Sequence, residues 1–219
     1  MRLLDLSRET RVPLALAVIP MSAQAEAFDC LPVTVTLLQH GVDHRNRAAA
    51  GEKKTEFPPS EPVEEALARL VSGREKLAHI ADGRILPLLV PPWNRLSSPE
   101  LLGRLVSAGF LGLSRFGPRA TLDAAPGLVA INTHVDIIDW RGSRGFAGED
   151  LVLAQATRHL QARRSGATDA GESTGWLTHH AVHDPACWAF LHTLMERTSS
   201  CEGLRWSAIQ LLLADAQRT

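Results

Sequence analysis

Apolar residues along the chain fall into two alternating patterns. Short, largely apolar runs rich in Val, Ile and Leu predict strands at Pro13–Ile19, Val33–Gln39, Ile85–Val90, Gly112–Phe116, Leu128–Thr133 and Gly175–Thr178. Between them, longer stretches carry apolar residues at helical spacing. These predict helices at Leu3–Thr10, Ala23–Asp29, Pro62–Asp82, Ser98–Ala108, Gly148–Ser165 and Asp184–Thr198. The longest places Val63, Ala66, Leu67, Leu70, Val71 and Leu77 on one face. Ser98 followed by Pro99 and Glu100 reads as a helix start. Strands alternating with helices argue for a mostly parallel sheet or barrel, here a single domain over residues 1–219. Pro13–Ile19 is almost wholly apolar, so it is expected to be buried on both faces.

Polar chemistry gathers just past the strand ends, where α/β proteins bind ligands. His40 and His44 flank Gly41 after the second strand, and two imidazoles so spaced can share one divalent ion. Taken alone, His40 serves equally well as a strand cap and His44 as a solvated loop residue. The third strand runs into Pro91-Pro92-Trp93-Asn94-Arg95. A later one leads to His134, Asp136, Asp139 and Trp140, and the last ends in Thr178-His179-His180. One composite site accounts for these four ends better than four coincidences. Trp140 reads equally as core, Asp139 as a partner for Arg95 or Arg141, and His180 and His183 as supporting groups. His134 could be core or touch the site, while His79, His159 and His192 fall on helices and read as surface.

In this order the segments resemble the polysaccharide deacetylase family, carbohydrate esterase family 4, with the NodB-homology fold. The resemblance runs from residue 12 to about 185. His40 and His44 match its H-x-x-x-H metal motif. Pro91, Pro92, Trp93 and Arg95 are similar to its Arg/Pro/aromatic motif, although the arginine follows the prolines. Asp136, Asp139 and Trp140 match D-x-x-D-W, and Leu177, Thr178 and His179 match the late L-x-H motif. The resemblance implies an irregular (β/α) barrel. It also implies a metal-dependent hydrolase that removes acetyl groups from N- or O-acetylated carbohydrate or a related amide. His40 and His44 would hold the metal and His179 would be the acid, tuned by Asp136 or Asp139. Arg95 would orient a carboxylate, and Trp93, Trp140 and Asp136 would meet substrate.

The family's opening Asp-Asp motif, source of a metal ligand and the base, has no counterpart here. Asp5 lies on the first helix and is a poor substitute. The barrel is therefore expected to lack its first strand, which either lies upstream of Met1 or has been lost. Zinc or a similar divalent metal would be held weakly by two histidines, because catalytic zinc usually has three protein ligands. The alternative is a non-catalytic, deacetylase-like carbohydrate-binding or scaffold domain. A homodimer that covers the open strand edge is a further expectation.

Composition narrows the partners. With 45% hydrophobic and 21% charged residues the chain is an ordinary globular one. A net charge of -1 and the lack of a basic block argue against nucleic acid. No apolar run is long enough to span a membrane. Three scattered cysteines argue against a disulfide framework and for a cytoplasmic setting. Arg2, Arg8 and Arg11 before Val12–Met21, with Ala23-Gln24-Ala25 after it, leave a secretory signal over residues 1–25 as the alternative.

Overall fold

The computed structural model describes residues 2–218. Helix α1 (Arg2–Thr10) turns Leu3, Leu6 and Ser7 inward. Ser7 Oγ donates to the Val12 carbonyl at 2.6 Å and lies 2.9 Å from Thr34 Oγ1, which ties the helix to the sheet. Strand β1 (Leu14–Val18) then pairs in parallel with β2 (Val35–His40), and β2 with β3 (Ile85–Val90). The sheet continues in parallel through β4 (Gly112–Leu113) to β6 (Leu128–Ala130). It ends in β5 (Asp123–Ala125), which runs antiparallel to β6. A second, two-stranded parallel pair joins β7 (Val135–Asp136) to β8 (Trp176–Leu177).

Helices α2 (Val63–Ile80) and α3 (Pro99–Arg104) cover the middle strands. Leu70, Leu89, Leu101, Leu105, Phe110 and Leu113 are completely sealed there. Helices α4 (Glu149–Ser165) and α5 (Pro185–Ser199) close a second core with α1 and β7, around Ile137, Val152, Leu191 and Met195. Ser98 caps α3 by accepting from the Leu101 amide at 3.2 Å, and Asp184 caps α5 by accepting from Cys187 at 2.8 Å. Both caps follow the preference for short oxygen-bearing side chains at helix starts.

Two expectations need correction. The strand near residues 13–19 is not buried on both faces. Ala15 and Ala17 are exposed while Leu14, Leu16 and Val18 between them are half-buried, so one face of β1 is covered and the other lies open. Among the described residues the parallel-dominated sheet does not close into a barrel: the larger sheet ends at β1, the smaller at β8, and no strand pairing joins those two ends. Residues 23–29 form no α-helix but two short 3₁₀ turns, Pro20–Ser22 and Ala25–Phe28, separated by an extended Gln24. That segment buries only Pro20 and Phe28, too little apolar surface to hold a longer helix. The structure adds helix α6 (Ile209–Ala216), docked through buried Leu213 and a hydrogen bond from Thr36 to Gln210.

Candidate active site at the strand ends

The turn after β2 is built around a buried carboxylate. Glu56 is fully buried and accepts from three successive amides, Val42 at 2.9 Å, Asp43 at 3.1 Å and His44 at 3.3 Å. The polar stretch 45–60 folds inward, with Thr55, Glu56 and Phe57 buried within it. Burial pushes the Glu56 carboxyl up to about 7, against the pull of the amides. Gly41 sits at φ +56°, and a Cβ there would meet Glu56 Oε2 at 2.1 Å, so the turn needs glycine. Gln39, also buried, donates to the carbonyls of Gly41 and Leu70, each at 3.0 Å, and pins the turn to α2. Asp43 is engaged by arginine. Arg47 grips both its oxygens at 2.9 and 2.7 Å and holds its carboxyl well below the usual range.

The HxxxH pair comes together as the resemblance implies. The His40 and His44 ring centroids are 5.0 Å apart, and Trp93 lies 4.5 Å beyond His44. His40 Nδ1 is 2.8 Å from the Val90 carbonyl. A carbonyl can only accept, so Nδ1 carries the proton and Nε2 keeps a free lone pair. Burial lowers the His40 pKa to about 4, the Val90 bond opposes it, and charge on His44 and His179 lowers it further.

The β7 and β8 ends meet on a shared carboxylate. Asp136 Oδ2 accepts from Trp140 Nε1 at 2.9 Å and lies 3.2 Å from His179 Nε2. The Trp140 ring packs edge-on to His179 at 4.8 Å and is 44% exposed, so it is not core. Asp139 is spent on its own turn, accepting from the amides of Arg141, Gly142 and Ser143. Those amides hold its carboxyl below the ordinary value. Arg95 donates to the Lys54 carbonyl at 3.0 Å and so braces the HxxxH loop instead of meeting Asp139. His44, Trp93, Asn94 and His179 all adopt positive φ, between 52° and 57°. Such backbone costs about 1–3 kcal/mol per residue and gathers at functional sites.

A second cluster lies under β7. His134 Nε2 is 3.2 Å and His159 Nε2 3.7 Å from Glu172, all three are buried, and the two rings stack at 3.6 Å. His159 is thus not a surface residue. Glu172 also accepts from the Arg119 amide, fastening the 166–174 loop. Gly175, whose Cβ would strike the Asn132 carbonyl at 2.4 Å, brings its amide 3.0 Å from His134 Nδ1. By distance this trio could hold a metal ion, its ligand atoms all lying within 4.8 Å. Protonation argues otherwise. His134 Nδ1 accepts from the Gly175 amide, so the neutral ring carries its proton on Nε2, which leaves no lone pair there for a metal, although Nε2, 3.2 Å from Glu172, makes no hydrogen bond. Rings stacked 19° from parallel also cannot both aim in-plane at one ion. His40 and His44 fit a metal better, because the free Nε2 of His40 is backed by a carbonyl on its other nitrogen. No third His, Cys, Asp or Glu joins them among the described residues. Asn46, another conceivable ligand, accepts from the Ala48 and Thr55 amides. Cys187 is buried, and burial pushes its thiol up.

Solved structures share this fold. A protein of Mycobacterium smegmatis designated a polysaccharide deacetylase superposes with a TM-score of 0.67 at 18% identity, covering 99% of this chain and 76% of that one. One of Pseudomonas aeruginosa with the same designation gives 0.66 at 17%, covering 99% and 72%. The PuuE allantoinase gives 0.65 at 16%, covering 99% and 71%. No family model and no curated protein matches the sequence. The class of fold is thus that of the polysaccharide deacetylases and allantoinase. No helix among the described residues is long and apolar enough to cross a membrane.

Proposed function

We propose that the chain is a hydrolase that removes acetyl groups from N- or O-acetylated carbohydrate, or opens a related amide, with a divalent metal at His40 and His44. The observation that supports this reading is the close pairing of the His40 and His44 rings after β2, their centroids 5.0 Å apart, together with the Asp136–His179–Trp140 group at the ends of β7 and β8. A metal there, zinc being the natural choice for imidazole ligands, would supply Lewis acidity toward the acyl oxygen.

The chain's own residues do the rest. With Nε2 turned to Asp136, His179 has Nδ1 free to protonate the departing nitrogen or oxygen. Asp136 fixes the tautomer and steadies the imidazolium. Trp93 and Trp140 flank the imidazoles as walls for an acetyl group or a sugar face. Asp139 and Arg95 act as positioning residues, the first through the turn beside Trp140 and the second through the HxxxH loop.

One observation favours a second reading, a carbohydrate-binding domain without turnover. No carboxylate among the described residues completes the HxxxH pair, and none is placed as an evident base for water. Acetate release from chitin oligomers, acetylated xylan and small acetamides, with and without added zinc or cobalt, separates the two. Metal-dependent release abolished by His179→Ala supports the hydrolase. Saturable oligosaccharide binding with no release in any metal supports the binding domain.

A further inference from the structure

A cavity of about 400 Å³ opens beside the site, past the ends of β4 and β6. Asn94, Arg115, Phe116, Asn132 and Asp123 are among its lining residues. Its lining includes Asn94, the residue after Trp93, whose ring lies 4.5 Å from His44.

Its polar groups are unequally satisfied. Asn132 is buried and spent: its oxygen accepts from the Arg115 amide at 2.9 Å and its nitrogen donates to the Gly117 carbonyl at 2.9 Å. That pairing fixes the backbone carrying Arg115. Arg119 is spent as well, on Asp169 and the Ala130 carbonyl. The Arg115 guanidinium is not. It is half-buried, and among the described residues it has no hydrogen-bond or ion-pair partner. The Asn94 side-chain amide is likewise unengaged, on a residue held at φ 56°. An unpaired guanidinium lining a cavity is open to an anion, and a planar carboxylate is the partner its fork matches. Phe116, 45% exposed, adds an apolar face of the size a sugar ring covers.

We propose that Arg115, with Asn94 and Phe116, forms a subsite for a carboxylate on the substrate's own framework. The chain would then prefer acidic acetylated sugars, such as N-acetylated uronates, to neutral ones. The proposal rests on the hydrolase reading for the acetyl group, and on the cavity alone for the carboxylate. Asp123 lines the same cavity without pairing to Arg115 within 4.0 Å, so its charge should weaken binding of any anion.

The test is calorimetric titration of the full chain with a matched pair, a 2-acetamido-2-deoxyhexuronate and its neutral 2-acetamidohexose. Glucuronate, without an acetyl group, and free acetate serve as further probes. The acidic sugar should bind about 10-fold more tightly than the neutral one. Arg115→Gln should erase that difference, Arg115→Lys should restore part of it, and Asp123→Asn should widen it. Melting curves confirm that each variant is folded. Equal affinity for the pair, or a preference that survives Arg115→Gln in a folded protein, overturns the subsite. Free acetate binding as tightly as the sugar acid also overturns it, because the cavity would then be a general anion site. Glucuronate binding that depends on Arg115, without any acetamide preference, upholds the subsite and removes the deacetylase reading instead.

Discussion

His179 faces Asp136 through Nε2, at 3.2 Å, and the same carboxylate oxygen accepts from Trp140. One acid thus sets both the tautomer of the proposed proton donor and the orientation of the aromatic wall. Asp136→Asn keeps the shape but can present an N–H to the imidazole. On the hydrolase reading, turnover should fall about 100-fold, the range of a general acid's contribution, with KM little changed. Trp140→Phe, which removes only the indole N–H, should have a much smaller effect. Steady-state kinetics on the best substrate would compare them. Full activity in Asp136→Asn would remove His179 from the proton-transfer role.

Glu56 organises the HxxxH turn by accepting three amides. Glu56→Ala strands those donors away from water, and each unsatisfied buried group costs about 1–3 kcal/mol. The variant should lose several degrees of Tm and nearly all metal-dependent activity. Glu56→Gln, which keeps one acceptor oxygen, should be milder. A Glu56→Ala protein that melts like the wild type would show that the turn holds itself.

The buried His159 gives a pH signature. Burial first, and then the charge of His134, hold its pKa below the ordinary 6.5. The folded protein therefore binds fewer protons than the unfolded chain just below that value. Stability from this residue is present above pH 6.5 and is lost as pH falls from there through the folded value. Glu172 adds a loss of the same sign further down. Burial raises its carboxyl, but His134 and the Arg119 amide beside it outweigh that and hold the pKa below the ordinary 4.5. Tm measured from pH 7.5 to 5 should decline, and His159→Gln should flatten that decline. An unchanged slope in the variant would mean that His159 does not titrate as the packing dictates.

Strand ends were legible in sequence because periodicity and proline mark them. Strand β3, Ile85–Val90, falls where its apolar run lies, and Ser98 is the cap that its neighbours announce. The HxxxH pair was legible as a short motif at a strand end, and the resemblance left Asp136 or Asp139 as the carboxylate partner of His179, of which Asp136 is the one in contact. Glu56 was not. It stands 12 residues beyond His44 in a polar loop, and nothing local distinguishes an acid that folds back under three amides from a solvated one. His159 was misread because α4 has only a weak apolar face, so a histidine on it resembles a surface residue. Asp139 carried a motif position, but its oxygens go to the next three amides, a short-range choice typical of Asp in turns. The exposed alanines of β1 lie on an uncovered face, which a run of apolar residues does not reveal.

Metal binding to His40 and His44 is the central claim, and zinc titration of the metal-stripped chain by isothermal calorimetry tests it most directly. The account expects one weak site per chain, lost in both His40→Ala and His44→Ala and kept in His134→Ala. Zinc binding that survives both of the first two substitutions, or disappears with His134→Ala or Glu172→Ala, would contradict it and move the metal to the cluster beneath β7.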